Sequence, residues 1–197
     1  MSSLRRRRRY VTLAAAALAS ALPAGCGRPS ALRLTSYRDP YFPETFDVRL
    51  DECAYCLGPG SDYHIVGRAL HTPADGGASV EQLVYVHMFW KPWPGKTFAD
   101  PTMVDATIRY ALVTEQGVAV YSGTGFVFPR QRRFSDELLV EIEDARLRVD
   151  CLSGEPPELL GAARVAGRLR ARHDAGLAVD LRRRVELYAG LTSAQQQ

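Results

Sequence analysis

The chain has 197 residues, of which 46% are hydrophobic, and 25 basic against 22 acidic residues give a formal net charge of +3. This length and composition suit one globular domain with its own core. Residues 1–25 contain five arginines and no acidic residue, so their removal would change the formal net charge from +3 to −2. The rest of the chain therefore lacks the basic excess typical of nucleic-acid binding, and we expect no nucleic acid among its partners.

The N-terminus has the pattern of an export signal. Arginines at positions 5–9 precede an alanine-rich apolar segment at residues 11–21 and then small residues. This segment is shorter than the roughly 20 residues that cross a bilayer as a helix, so a cleaved signal peptide is favoured over a membrane span. The arginines before Tyr10 also fit a twin-arginine signal loosely, and the sequence leaves the Sec and twin-arginine routes open.

A cysteine preceded by small residues follows the apolar segment. Residues 22–26 read Leu-Pro-Ala-Gly-Cys, and this segment resembles the lipobox of bacterial lipoproteins. The resemblance implies that Cys26 is acylated, becomes the mature N-terminus and anchors the protein in a membrane of the bacterial cell envelope, at the outer membrane or the periplasmic face. The alternative is ordinary secretion without a lipid, after cleavage behind a triplet such as residues 19–21.

Segments with strand patterning recur along the rest of the chain, through period-two alternation or β-branched and aromatic residues. They are residues 46–50, 63–71, 82–90, 103–114, 118–128, 138–142, 147–151, 165–172 and 177–187. Residues 115–117 predict a hairpin loop, and the change of parity at Glu143 and Asp144 predicts a turn or bulge. A helix over residues 177–188 is the alternative for the last segment.

Many short strands without alternating helices predict a mainly β protein. The expected fold is an antiparallel β-sandwich, immunoglobulin-like or C2-like, with at most one short C-terminal helix. The predicted organisation is a signal peptide (1–25), a lipidated tether (26–36), a β-sandwich domain (37–190) and a disordered tail (191–197). Residues 72–79 and 91–101 are rich in glycine or proline and are predicted surface loops.

Three cysteines remain beside Cys26, namely Cys53, Cys56 and Cys151, in a compartment that permits disulfides. In an extended strand, Cys53 and Cys56 would lie about 10 Å apart on opposite faces, too far to bond to each other. We therefore expect one disulfide from this pair to Cys151. A thioredoxin-like site is disfavoured because residues 57–60 (LGPG) cannot continue a helix from Cys56.

The candidate metal ligands are Cys53, Cys56, His64 and His87, with His71 as a further histidine. A zinc site needs ligands of these types, but their spacing is not diagnostic, and single histidines on strands are more often packed or surface residues. Paired acidic residues show no spacing that demands acid–base chemistry. The sequence therefore indicates no cofactor and assigns no catalytic residue.

Residues 89–96 (FWKPWPGK) contain both tryptophans and both lysines of the chain. Prolines stiffen this predicted loop, and flat aromatic side chains can stack on a sugar ring or anchor a protein partner. Trp90, Lys91, Trp93 and Lys96 are therefore candidate ligand-binding residues. The alternative is that Trp90 caps the core.

These patterns favour an exported, membrane-anchored envelope lipoprotein that acts as a binding, adhesion or assembly module, not as an enzyme, with a protein or glycan partner. One alternative is a metal- or thiol-dependent envelope enzyme that uses Cys53, Cys56, His64 or His87. A further alternative is a carbohydrate-binding module that uses Trp90 and Trp93.

Overall fold

The computed structural model describes residues 29–72, 79–89, 106–131, 135–155 and 160–191. Within these ranges the chain forms nine strands followed by one helix. In chain order they are β1 (Ala31–Ser36), β2 (Glu44–Arg49), β3 (Glu52–Leu57), β4 (Tyr63–His71), β5 (Val80–Met88), β6 (Ala106–Val113), β7 (Gly117–Gln131), β8 (Glu137–Gly154), β9 (Ala163–His173) and α1 (Ala175–Leu191).

The nine strands belong to one sheet, in the order β2-β1-β9-β3-β4-β5-β6-β7-β8. β8 also pairs with β9, so the sheet closes on itself. The pairing of β3 with β9 is parallel, and the other pairings are antiparallel. The prediction of a mainly β protein is therefore confirmed, and the strand pairing gives one closed sheet where two stacked sheets were expected.

The main core lies on the inner face of the sheet. Successive strand side chains point to opposite faces, so every second residue of a strand shares this core. In β6 these residues are Ala106, Ile108, Tyr110 and Leu112, all buried. Alternate residues of β8 and β9, such as Leu138 and Leu169, complete the same cluster.

Helix α1 covers part of the outer face. Ala178, Leu181 and Val185 lie on one side of the helix and pack in a second buried cluster with outer-face residues such as Val66 and Leu83. Before the helix, the Asp174 carboxylate accepts a hydrogen bond from the Leu177 backbone N–H at 3.0 Å, as an N-cap residue does. This packing joins the helix to strands β3, β4 and β5.

The prediction of a strand at residues 177–187 is wrong, and its helical alternative is correct. The apolar residues there fit a period of two, but Ala178, Leu181 and Val185 also fit the helical period. The cap at Asp174 and the apolar outer face of the sheet decide between the two periods. In the described part of the chain, no helix has the length and apolar character needed to cross a membrane.

The predicted hairpin loop and the predicted change of parity are both confirmed. β6 and β7 form the expected hairpin, in which the Thr114 N–H donates to the Gly117 carbonyl at 2.9 Å. The pairing of β8 with β9 shifts register between Ile142 and Ala145, and Asp144 has a φ of 46°, so the parity change is a bulge.

β1 lies within the range predicted as a tether, so ordered structure begins earlier than expected. Most of the two predicted surface loops falls outside the described residues.

Candidate metal-binding site

Two histidines face each other across adjacent strands. His64 on β4 pairs directly with His87 on β5, so their side chains leave the same face of the sheet. Their rings are stacked, with centroids 4.6 Å apart and planes 11° apart. His64 is buried and only 7% exposed, whereas the His87 side chain retains 32% of its exposure. One histidine is thus fixed by packing while the other remains accessible to solvent.

The turn between β3 and β4 brings a carboxylate to these histidines. The Gly58 N–H donates to the Asp62 carbonyl at 2.9 Å, and the Ser61 N–H donates to the Gly58 carbonyl at 3.0 Å. The turn leaves Asp62 two residues before His64, on the same face of the sheet. Its Oδ2 lies 2.8 Å from His87 Nε2 and 3.1 Å from His64 Nε2. One carboxylate oxygen of Asp62 therefore lies close to both imidazole rings.

A tyrosine holds the other side of the His64 ring. The Tyr85 hydroxyl lies 2.8 Å from His64 Nδ1, within hydrogen-bond distance, while Nε2 of the same ring faces the Asp62 carboxylate at 3.1 Å. Histidines that bind a metal through one nitrogen commonly donate the N–H of the other to an oxygen, which fixes the ring and its tautomer. Tyr85 occupies that outer position for a metal bound at Nε2.

The charges of the group suit metal ligation. The hydrogen bond from His87 lowers the pKa of Asp62, which keeps this carboxyl ionised. Burial lowers the pKa of His64, which favours the neutral ring with a free lone pair. Burial also raises the pKa of Tyr85 to about 12, so its hydroxyl keeps its proton. A metal ion binds deprotonated carboxylates and neutral imidazoles, which are the forms favoured at Asp62 and His64.

The ligand atoms of Asp62, His64 and His87 all lie within 4.8 Å of one another. Zinc binds imidazole nitrogens at about 2.0–2.1 Å and carboxylate oxygens at about 2.0–2.2 Å, so a single ion can contact all three after small side-chain movements. Two histidines and one carboxylate also form the ligand set of many non-haem iron sites with open positions. The donor set therefore fits a divalent transition metal ion.

Gly58 leaves the space in which this group sits. A Cβ atom built on Gly58 would lie 2.8 Å from His64 Nε2 and closer still to the Asp62 carboxylate. Real Cβ atoms essentially never approach other atoms so closely, so a side chain here would displace the ligands. The glycine is therefore part of the architecture of the site.

None of the three described cysteines belongs to this group, although Cys56 on β3 pairs directly with His64 on β4. Cys53 packs against the inner core, whereas Cys56 lies in the outer cluster beneath α1, which confirms the prediction of opposite faces. The expected disulfide to Cys151 is not formed, since all three cysteines are free. Cys53 faces the opposite side of the sheet from Cys151. The Cys151 thiol instead donates a hydrogen bond to the Tyr188 carbonyl of α1 at 3.3 Å.

Of the predicted metal ligands, the structure brings together His64 and His87 and adds Asp62, which the sequence analysis did not single out. Cys53 and Cys56 are not members of the group, and His71 is exposed near the other end of β4. A sequence signal for Asp62 exists in hindsight, because period two places it on the same face as His64.

The remaining predicted site residues lie outside the described ranges. They are the acylation candidate Cys26 and the aromatic-loop candidates Trp90, Lys91, Trp93 and Lys96. Comparison of the chain with protein-family models, with curated protein sequences and with solved structures found no match.

Proposed function

We propose that this protein is an exported, lipid-anchored envelope protein whose β-rich domain binds a divalent transition metal ion, such as zinc, through Asp62, His64 and His87. The observation that carries metal binding is the convergence of both Nε2 atoms on one carboxylate oxygen, at 2.8 Å and 3.1 Å. This proposal develops the metal-dependent alternative from the sequence. The lipid anchor is supported by the lipobox-like residues that end at Cys26.

The coordination expected here is open. Structural zinc sites close the tetrahedron with four protein ligands, whereas three protein ligands leave a position for water or another small ligand. His87 and Asp62 provide access from solvent, because their side chains are 32% and 20% exposed. A bound ion would supply a Lewis acid and an acidic water at this opening. The site therefore supports ligand binding or hydrolytic chemistry better than a purely structural role.

Three features favour a metal-ligand role for His64 over that of a histidine buried only by packing. Its Nε2 lies beside a carboxylate that the lowered pKa keeps ionised, and its Nδ1 is fixed by Tyr85. The missing side chain at Gly58 leaves room beside the same Nε2 atom. A histidine buried only for packing would need neither the shared carboxylate nor the adjacent space.

Zinc titration of the mature chain tests the metal site. The chain from residue 26 onward with Cys26→Ser, kept reduced, is titrated by calorimetry, and bound metal is counted by elemental analysis after dialysis. We expect one zinc per chain, and at least a tenfold weaker affinity for Asp62→Asn and for His87→Ala. These two positions are chosen because they are partly exposed, and thermal unfolding verifies that the variants fold.

His71→Ala is the matched control, because it removes a histidine from the same strand as His64 without touching the group. It should bind zinc as the parent does. Absence of stoichiometric zinc in the parent, or unchanged zinc binding in an Asp62→Asn, His87→Ala double variant, would overturn the metal-site proposal. The anchor is tested separately by the mass of the mature N-terminus, where an unmodified terminus upstream of Cys26 would contradict acylation.

A further inference from the structure

A groove of about 1030 Å³ lies along β1, β2, β8, β9 and the end of β7. It shares no residue with the metal-binding group. Five arginines line it, together with the acidic residues Asp47 and Glu137. The arginines are Arg33, Arg49, Arg130, Arg168 and Arg170. The groove thus has a clear excess of positive charge in a domain whose overall balance is mildly acidic.

Ion pairs within the groove neutralise some of these arginines. Arg33 lies 2.9 Å from Asp47, and Arg170 lies 2.8 Å from Glu137. Arg168 also forms a close pair, with Glu141 beside the groove at 2.7 Å. These pairs hold three guanidinium groups in place along the groove.

Two arginines are less strongly paired than these three and can bind an external anion. Arg130 lies 3.9 Å from Glu141, and its side chain is 74% exposed. Arg49 has no acidic partner within hydrogen-bond or ion-pair distance in the described part of the chain. Guanidinium groups bind phosphate oxygens with a planar pair of donors, so each of these two side chains suits a phosphate group.

The closely paired strands β1 and β9 form the floor of the groove. At Gly167, where φ is +155°, a Cβ atom would lie 2.9 Å from the Leu32 Cα, so the glycine allows β1 to pack closely on β9. Leu32 and Val48 of the lining belong to the buried inner core, so the accessible surface of the groove is defined mainly by its charged side chains.

The groove lies next to the N-terminal end of the domain. Pro29 is one of its lining residues, and Cys26 precedes Pro29 by three residues. Three residues span at most about 11 Å, so an acyl chain on Cys26 would hold the groove close to the membrane surface. Polybasic surfaces near a membrane are attracted to anionic lipid headgroups.

We infer that this groove binds the phosphate headgroups of anionic phospholipids in the membrane that holds the anchor. The inference rests on the lipid anchor of the proposed function and is independent of the metal site. Arg49 on β2 and Arg130 on β7 lie four strands apart, at opposite sides of the groove, so each offers its guanidinium group to a separate headgroup. The groove thereby orients the domain on the membrane surface instead of leaving it free on a tether.

Vesicle co-sedimentation tests this inference with the chain from residue 26 onward carrying Cys26→Ser, which removes the anchor. The probes are phosphatidylcholine vesicles and mixed phosphatidylcholine–phosphatidylglycerol vesicles at physiological ionic strength. We expect binding to the mixed vesicles only, and at least a fivefold loss of this binding in an Arg49→Gln, Arg130→Gln variant. The control variant Arg146→Gln, Arg148→Gln removes the same charge from exposed positions of β8 outside the groove and should bind as the parent does.

Three outcomes would overturn the inference. Equal losses in the two variants would show attraction by overall charge, and equal binding to both vesicle types would exclude recognition of the anionic head. Binding of free glycerol phosphate without binding to either vesicle would assign the groove to a soluble phosphate compound. Acylation of Cys26 is read separately by mass spectrometry of the mature N-terminus, so failure of the anchor is distinguishable from failure of the groove.

Discussion

His64 and His87 occupy directly paired positions on neighbouring strands, and both turn their Nε2 atoms toward Oδ2 of Asp62. The two ring nitrogens and the carboxylate oxygen therefore surround one small space. A metal ion held by these three side chains would displace the hydrogen bond that now joins His87 to Asp62. Metal binding and an ordinary cluster of hydrogen bonds differ in their response to substitutions at and around these three residues.

The two histidines should differ in their effect on stability without metal. His64 is buried and bonded to Tyr85, so His64→Ala leaves a cavity and an unpaired hydroxyl, which should lower the free energy of unfolding by about 1–3 kcal/mol. His87 is partly exposed, and His87→Ala should cost less than about 1 kcal/mol. Urea unfolding in the presence of a chelator measures both. Equal losses for the two variants would contradict the burial difference.

Tyr85→Phe should weaken zinc binding while the domain stays folded. The hydroxyl that holds His64 Nδ1 is lost, and removal of such an outer hydrogen bond typically lowers metal affinity 10–100-fold. Calorimetric titration of the reduced chain measures the change. Tyr110→Phe is the matched control, because that hydroxyl bonds Gln82 and belongs to the inner core. If both variants bound zinc as the parent does, Tyr85 would have no role in orienting His64.

Gly58→Ala should reduce zinc affinity without changing any ligand. The new methyl group would press on the Asp62 carboxylate and on His64 Nε2. Gly60→Ala lies in the same turn, but its Cβ would meet the Asp62 carboxylate only at 3.6 Å, an ordinary contact, so its zinc affinity should match that of the parent. Zinc titrations of the two variants side by side provide the test. A Gly58→Ala protein with parental affinity would show that the ligands do not depend on this space.

Cys53 should resist alkylation in the folded protein. Burial raises the pKa of its thiol to about 11 from an ordinary value of 9.0. Well below that pKa, a two-unit rise makes the thiolate about 100-fold rarer, and the thiolate is the reactive form. Iodoacetamide labelling at pH 8, followed by peptide mass mapping, should therefore modify Cys53 far more slowly than in urea. The rate should rise about tenfold per pH unit while the fold persists, and equal folded and unfolded rates would contradict the burial.

The same raised pKa fixes the sign of a pH effect on stability. The unfolded thiol loses its proton near pH 9, whereas the folded thiol keeps it until about pH 11. Below pH 9 both states are protonated, so Cys53 leaves stability unchanged there. Between about pH 9 and 11 the unfolded state is favoured, so the free energy of unfolding should fall as pH rises. Cys53→Ala should remove this part of the pH dependence, which urea unfolding at several pH values measures.

Sequence periodicity predicted most strands, because alternate residues such as Ile108 and Tyr110 must share the closed interior. It failed at residues 177–187, where Leu181 and Val185 fit both periods and the neighbouring sheet face determined the helix. Of the three candidate metal ligands, His64 and His87 were named from the sequence and Asp62 was not. His87 meets Asp62 through the register between β4 and β5, and that register is a property of the paired strands that a single strand's pattern does not contain.

The disulfide prediction failed for a related reason. Strand geometry correctly separated Cys53 from Cys56, but the choice of a third partner needs to know what covers each face. Helix α1 packs over the outer face, and its Tyr188 carbonyl accepts the Cys151 thiol proton. Because residues 177–187 were predicted as a strand, the prediction did not include the helix that packs beside Cys151.

The two candidate sites depend on strand pairs that lie at very different separations along the chain. β4 and β5 are near neighbours in sequence, so the metal-binding group depends on pairing that is complete once β3, β4 and β5 have formed. The arginine-lined groove instead requires β1 to pair with β9, from opposite ends of the domain, and such long-range contacts form late. The groove is therefore complete only when nearly the whole domain is available to fold, whereas the candidate metal-binding group needs only β3, β4 and β5.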